Sequence, residues 1–258
     1  MKRRSPWIRA LPWVTTIAVI ALQEVLARTG VLPSLIPPFS ETLVALWNQL
    51  PTPDFWEGLW EVLAQFAISL VIGVVAGLVL GIIIGVLPVV NQLLRYVLEF
   101  LRFTPSVVFI PILLLVMGSR PPTAILLAAL GAMWPVLYQT FYGVVGVSAV
   151  LKDTGRVFGL SRGQQLASIT IPSVSPFLAT GIRLAAAHAL VVVVAVQIIA
   201  AVPGMGRDIQ TYAENGVFPQ MYALILVVGI IGLLVNWLFE TIERRQLHWH
   251  ASYREKQA

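Results

Sequence analysis

From Val62 to Leu87 the chain carries no Asp, Glu, Lys or Arg. As an α-helix this run would reach about 39 Å at 1.5 Å per residue, enough to cross a hydrocarbon core of about 30 Å. Five further apolar runs accompany it: Leu11–Leu26, Pro105–Met117, Thr123–Val147, Phe177–Val202 and Met221–Ile242. Hydrophobic residues make up 58% of the chain and charged residues 11%, against about 25% charged in soluble domains. A soluble core could not bury so much apolar surface, so lipid is the expected solvent for much of it. The fold class expected is an all-α integral membrane protein with about six transmembrane helices. The run Pro105–Met117 is short for a full crossing and contains Pro111.

Lys2, Arg3, Arg4 and Arg9 precede the first run, which is also how a signal peptide begins. No small-x-small cleavage site follows cleanly, and five more runs come after, so an uncleaved first helix is expected. The net charge of +5 could suggest nucleic acid. However, the basic residues are dispersed at the ends of the apolar runs. Six crossings place thirteen of the seventeen Lys and Arg on the side of the termini, Arg95, Arg102, Lys152, Arg156 and Arg162 among them. Arg120 and Arg207 fall on the other side, and Arg28 and Arg183 at membrane edges. Under the positive-inside rule both termini are expected to be cytoplasmic.

The organisation expected is a tail, first helix and external segment over 1–61, a five-helix core over 62–242, and a cytoplasmic tail over 243–258. In the external part Ser40 is a plausible N-cap, with Glu41 in the first turn. Leu43, Leu46, Trp47 and Leu50 form one helical face, and Pro51 stops the helix. Trp56 and Trp60 are expected near headgroups.

Enzymatic chemistry finds little footing. There is no cysteine, hence no disulfide, thiolate metal site or Cys nucleophile. Of three histidines, His248 and His250 sit in the polar tail, and no zinc-type ligand set is visible. No G-x-x-x-x-G-K-[ST] run occurs, so this chain does not hold ATP through a P-loop.

Ser69, Gly73, Gly77, Gly81 and Gly85 recur every four residues along the second run. Small residues at that spacing make a groove for close helix approach, for static packing or for sliding. The cytoplasmic stretch between the fourth and fifth runs reads as helix, turn, helix. Val150–Phe158 forms a first short helix, and Gly159 supplies the turn. Ser161 and Gln164 fit a capping box that opens a second, which Pro172 and Pro176 are expected to end.

Within that stretch Asp153-Thr154-Gly155, Gly159 and Ile169-Thr170-Ile171-Pro172 resemble the signature of bacterial ABC importer permeases. That signature is Glu-Ala-Ala, three residues, Gly, nine residues, Ile-x-Leu-Pro. The spacing matches throughout, while Thr154 and Gly155 depart from the two alanines. Arg102-Phe-Thr-Pro105, Ile110-Pro111, Thr180-Gly181-Ile182-Arg183, Leu35-Ile-Pro-Pro-Phe-Ser and Glu243-Arg-Arg-Gln-Leu look like the nitrate, sulfonate and taurine branch. The resemblance implies a type I ABC importer permease fold, with coupling helices over 150–172 between spans four and five. It makes Asp153, Thr154, Gly155, Gly159, Leu160, Ser161, Ile169, Ile171 and Pro172 the residues that couple to the ATPase. It also implies a second permease copy, two cytoplasmic ATPase subunits holding ATP and Mg, and a periplasmic or lipid-anchored substrate-binding protein. The cargo would be a small polar solute, by first reading an anion such as nitrate, a sulfonate, taurine or an aromatic acid, and the branch also includes carriers of uncharged or cationic vitamin precursors.

Polar residues within the spans are the pathway candidates. Gln197 either lines the pathway or glues helices. His188, nine residues earlier, points to the opposite face. Arg183 either meets an inner anion or snorkels. Trp134, with Gln139 and Tyr142 on the same helix, completes the set, and Glu24 is placed at the outer edge. The rival class is an ion-gradient-driven secondary transporter, which would need paired intramembrane carboxylates or an internal repeat.

Overall fold

The computed structural model describes residues 6–246, with side chains from residue 11 onward except those of residues 95, 152, 162 and 246. Lys2, Arg3, Arg4 and the tail residues 247–258, with His248 and His250, lie outside the described residues. Every regular element among the described residues is helical. In chain order these are α1 (Pro6–Arg28), α2 (Phe39–Gln49), α3 (Pro53–Val86), α4 (Pro88–Phe103), α5 (Ile110–Met117) and α6 (Pro121–Val145). There follow α7 (Ala149–Val157), α8 (Arg162–Gln165), α9 (Ile171–Ile199), α10 (Met205–Glu214) and α11 (Phe218–Gln246).

Five helical stretches are long and apolar enough to cross a membrane: α1, α3, α6, the continuous 163–199 helix, and α11. The expected span at Pro105–Met117 is instead half of a bent pair. Residues Tyr96–Phe103 and Ser106–Met117 meet at 85°, and six spans are reached only by counting this pair as one. Pro105 is the cause. It has no N–H to continue the helix and pushes the preceding residue out of the α region. Thr104 accordingly takes φ −80° and ψ 114°. Beyond the break lie a 3₁₀ turn, Ser106–Phe109, and α5, together about 20 Å long.

The core is α3, α6 and α9. The small residues of α3 meet α6 as their spacing predicts. A Cβ on Gly73 would lie 2.7 Å from Ala132 Cβ, on Gly77 2.6 Å from the Met133 carbonyl, and on Gly81 2.7 Å from Thr140 Cβ. The backbones therefore touch where a side chain would hold them apart. Ser69 is fully buried and bonds its own helix through the Phe66 carbonyl at 2.9 Å. Phe66, Leu70, Val136, Ala189 and Leu224 continue this core towards α11.

The segment from α1 to the start of α3, expected to be external, departs from expectation at several points. Helix α3 begins at Pro53, so residues 61 and 62 share one helix and no boundary falls between them. Ser40 is not the cap of α2. Pro38 holds that position, and Ser40 lies inside the first turn. There its N–H and hydroxyl donate to Glu24 on α1, at 3.0 and 2.8 Å, while Arg28 also pairs with Glu24 at 2.6 Å. Glu24 thus sits one turn from the outer end of α1 and fastens α1 to α2. The apolar face of α2 also divides. Leu46 and Leu50 pack on the core, but Leu43 and Trp47 are exposed, and Thr42, Ala45 and Gln49 are buried in their place. Trp56 and Trp60 are exposed on the first turns of α3. Helix α10, between α9 and α11, has no counterpart in the sequence reading.

Candidate functional site

Helix α7 ends in a complete Schellman motif. Gly159 has φ +72°, its N–H donates to the Arg156 carbonyl at 3.0 Å, and the Leu160 N–H reaches back to Gly155 at 2.9 Å. The left-handed conformation is the reason for glycine at this position. The reciprocal capping box then opens α8. Ser161 N–H donates to Gln164 Oε1 at 2.8 Å, and Gln164 N–H donates to Ser161 Oγ at 3.3 Å. Two turns of helix are thereby fixed against each other by backbone geometry.

Gly155 is the point of contact between the two limbs. A Cβ there would lie 2.8 Å from Ile169 Cδ1 and 3.3 Å from Gln165 Cγ. The smaller residue lets Ile169 and Gln165 close onto α7. Asp153 and Thr154 face outward. Asp153 pairs with Arg156 at 2.9 Å, and the Thr154 hydroxyl returns to the Val150 carbonyl. Val150, Val157 and Phe158 are exposed. They are 72%, 85% and 79% accessible, so this hairpin presents an apolar surface to solvent.

Pro172 and Pro176 do not end the second helix. Residues Leu166–Thr170 form a π turn, in which the Ile171 N–H donates to Leu166 five residues back. The wider turn accommodates Pro172 at the start of α9, where a missing N–H costs little. Helix continues from 163 to 199. Ile169, Ile171 and Pro172 therefore lie on the same rod as the fifth span. A cavity of about 280 Å³, bounded by Gly85, Val144, Gln165, Leu166, Ile169 and Thr170, lies between this rod and the inner ends of α3 and α6.

The four pathway candidates separate. Gln197 is fully buried and its amide is fully used. Its Nε2 donates to Gln65 Oε1 at 3.0 Å, and its Oε1 accepts from the Gly206 N–H at 3.0 Å. Gln65 in turn donates to the Pro203 carbonyl and to Glu61, both at 2.9 Å. This network ties α9, α3 and the start of α10. Arg183 Nε lies 2.9 Å from Glu243 Oε2 on α11, in ion-pair range though without an aligned hydrogen bond, and Thr180 donates to the same buried carboxylate. His188 is exposed, with Nδ1 3.2 Å from the Leu184 carbonyl. Trp134 is half-buried on α6, above Tyr138 and Tyr142.

Gln65, Gly204 and Gly206 were not singled out from sequence. Gln65 stands in an apolar run as Gln197 does, and the same reasoning would have found it. The glycines gave no such signal. Gly204 has φ +137°, and a Cβ there would lie 2.3 Å from Gln197 Nε2.

A cavity of about 330 Å³ lies between α3 and α10, lined by Asp54, Glu57, Glu61, Arg207, Asp208 and Tyr212 among others. Burial raises the Asp208 pKa, and Asp54 and Glu57 add to the rise against the opposing Arg207. Among the described residues no group of three metal-ligating side chains converges.

The profile of the family described as "Binding-protein-dependent transport system inner membrane component" matches residues 73–248. The chain is 31% identical over 156 residues to the putative aliphatic sulfonates transport permease protein SsuC of Bacillus subtilis, covering 60% of this chain and 56% of that protein. It is 27% identical over 252 residues to the SsuC protein of Escherichia coli, covering 97% and 96%. Against the nitrate import permease protein NrtB of Leptolyngbya laminosa it is 29% identical over 154 residues, covering 60% and 55%. The match thus spans little more than half of two of these relatives and nearly all of the third. Among solved structures, a chain of the MetNI methionine ABC transporter in an inward facing conformation superposes with a TM-score of 0.64 at 18% identity. That superposition covers 73% of this chain and 94% of the other, and shows a shared fold.

Proposed function

The chain belongs to the family of binding-protein-dependent transport system inner membrane components, and from that premise we propose that it is the membrane-spanning permease of an ATP-driven importer. The observation that carries this reading is the helix pair around Gly159. It exposes Val150, Val157 and Phe158, and it is rigidly joined to α9 through a continuous helix. An apolar hairpin of this kind suits a soluble partner, and continuity with a span gives that partner a lever. Two copies of the chain form the pathway. Two ATPase subunits, which hold ATP and Mg, each receive one hairpin. A binding protein delivers substrate at the outer face, and both termini are cytoplasmic.

Closure of the ATPases draws the two hairpins together and tilts the attached α9 helices, so that the pathway opens to each side in turn. At its outer end α9 is tied to α3 and α10 through Gln197 and Gln65, so the tilt is transmitted across the membrane. The residues Asp153, Thr154, Gly155, Gly159, Leu160, Ser161, Ile169, Ile171 and Pro172 carry the coupling. The names of the sulfonate and nitrate relatives support an anion as cargo.

Secondary transport would call for intramembrane carboxylates that can exchange protons or ions. Glu24 is held by Ser40 and Arg28, and Glu240 pairs with Arg244. The test is co-purification of the tagged chain with a co-expressed ABC-type ATPase, comparing wild type with Gly159→Asp. A complex formed by wild type and lost in the variant, with the variant still inserted in the membrane, supports the importer reading. Wild type that purifies alone and moves solute down an ion gradient overturns it.

A further inference from the structure

Trp134, Tyr138 and Tyr142 recur every four residues on α6 and form one column. Their ring centroids are 6.5 and 6.1 Å apart in succession. Arg102, in the last turn of α4, lays its guanidinium carbon 4.4 Å from the Tyr138 centroid and 5.8 Å from that of Phe103. Both distances are within cation–π range. The break at Thr104–Pro105 is what delivers the arginine there. Ser106, just past the break, packs on Gly131, two turns further up α6.

The column lies on the side of α6 that faces neither α3 nor α9, and the bent segment around Pro105 packs on it through Arg102 and Ser106. Helix α3 takes Ala132, Met133, Val136, Leu137, Thr140 and Val144, and α9 takes Pro135, Gln139 and Gly143. On α9 the exposed residues Leu184, His188 and Val191 lie on the same side of the α6–α9 pair, away from α3.

Two features of the column are incomplete without a ligand. Tyr138 Oη is buried and finds no hydrogen-bond partner. A buried hydroxyl without a partner is costly, and a ligand or water that supplies one relieves the cost. Arg102 is exposed and, among the described residues, forms no salt bridge, while the charges of Arg102 and of Glu99, one turn earlier, both act on Tyr138. A guanidinium is a planar fork of donors that matches an oxyanion, and its stack on Tyr138 holds that fork in place.

We propose that Arg102, Tyr138 and Trp134 form a subsite for an organic oxyanion, a sulfonate or carboxylate bearing a short apolar body. The guanidinium and the Tyr138 hydroxyl donate to the head group. The rings of Trp134 and Tyr142 flank the body. The proposal deepens the importer reading by naming a substrate class, but its test needs no ATPase, so the two can fail separately.

The chain has no cysteine, which makes Trp134→Cys a clean single-thiol reporter in membrane vesicles. Its labelling rates are compared for an anionic, sulfonatoethyl methanethiosulfonate and a cationic, trimethylammonioethyl one. With Arg102 intact the anionic reagent is favoured. Arg102→Gln lowers the anion-to-cation ratio about three- to tenfold, because a single nearby charge acts in opposite senses on the two reagents. The reporter keeps the proposed head-group donors Arg102 and Tyr138, so sodium hexanesulfonate slows labelling. Tyr142→Cys serves as a second reporter if the first variant does not insert. A ratio unchanged by Arg102→Gln, an absence of protection by hexanesulfonate, or a column that neither reagent labels overturns the proposal.

Discussion

Gln197 on α9 donates its amide to Gln65 on α3 across 3.0 Å, and both residues are almost wholly inaccessible. The pair is the only polar junction described within the outer half of the α3–α9 contact, and it also holds Gly206 and Pro203. Gln197→Ala would remove the partner of a buried amide oxygen and of a backbone N–H. Each loss is worth about 1–3 kcal/mol. A lowered melting temperature in detergent is expected, with Gly204→Ala matching it, because its Cβ would overlap Gln197. Equal melting of Gln197→Ala and wild type would show that the junction is not structural.

Asp208 makes the contact between α10 and the start of α3 sensitive to pH. Its carboxyl pKa is raised from 3.8, first by burial, with Asp54 and Glu57 adding and Arg207 opposing. A carboxyl raised in the folded state binds its proton more tightly there than in the unfolded chain. The stability this contributes is complete below 3.8 and is lost as pH climbs through the folded value. Melting temperature should therefore decline from about pH 4 upward. Asp208→Asn should flatten that decline and melt higher at neutral pH. Melting curves for both proteins from pH 4 to 8 decide it, and parallel curves would refute the assignment.

The hairpin should respond oppositely to changes at its two glycines. At Gly159 any other residue meets the left-handed backbone at a cost of about 1–2 kcal/mol, so Gly159→Ala should weaken ATPase-coupled activity and expose the loop to protease. Gly155→Ala gains about 1 kcal/mol of helix propensity. Its new Cβ meets flexible side chains, the end of Ile169 at 2.8 Å and Gln165 Cγ at 3.3 Å. It is expected to be neutral or mildly stabilising, and a loss as large as that of Gly159→Ala would contradict this account.

At Gly77 the obstacle is backbone. A Cβ would lie 2.6 Å from the Met133 carbonyl oxygen, which cannot rotate aside. Gly77→Ala should destabilise by about 1–3 kcal/mol. Gly229→Ala on α11, where nothing lies within 4 Å of the new atom, should leave the protein unchanged. Thermal unfolding of the two variants in one detergent makes the comparison.

Much of this architecture follows from local pattern. Apolar runs longer than a bilayer is thick can only be helices, and the basic residues that flank them orient the chain. The Gly159 turn and the Ser161–Gln164 capping box were legible because caps are made by residues within one or two turns of each other. The glycine stripe announced a close helix contact for the same reason. None of these depends on which helix is the neighbour.

What required tertiary structure was every relationship between distant residues and every continuation of one element into the next. The prolines at 172 and 176 read as stops, yet a π turn absorbs the first and the helix runs on. Pro105, in a run read as a span, bends the chain by 85°. A proline removes one hydrogen bond in either case, and only the surrounding packing decides whether the helix ends, bends or continues. Ser40 had the chemistry of a cap but serves Glu24, sixteen residues away. Gln197 was visible as a polar residue in an apolar span, but its partners come from α3 and from the loop before α10. Sequence determines which groups must find partners in lipid, because leaving them bare is too costly. The packing of α3, α6 and α9 decides which partners they find.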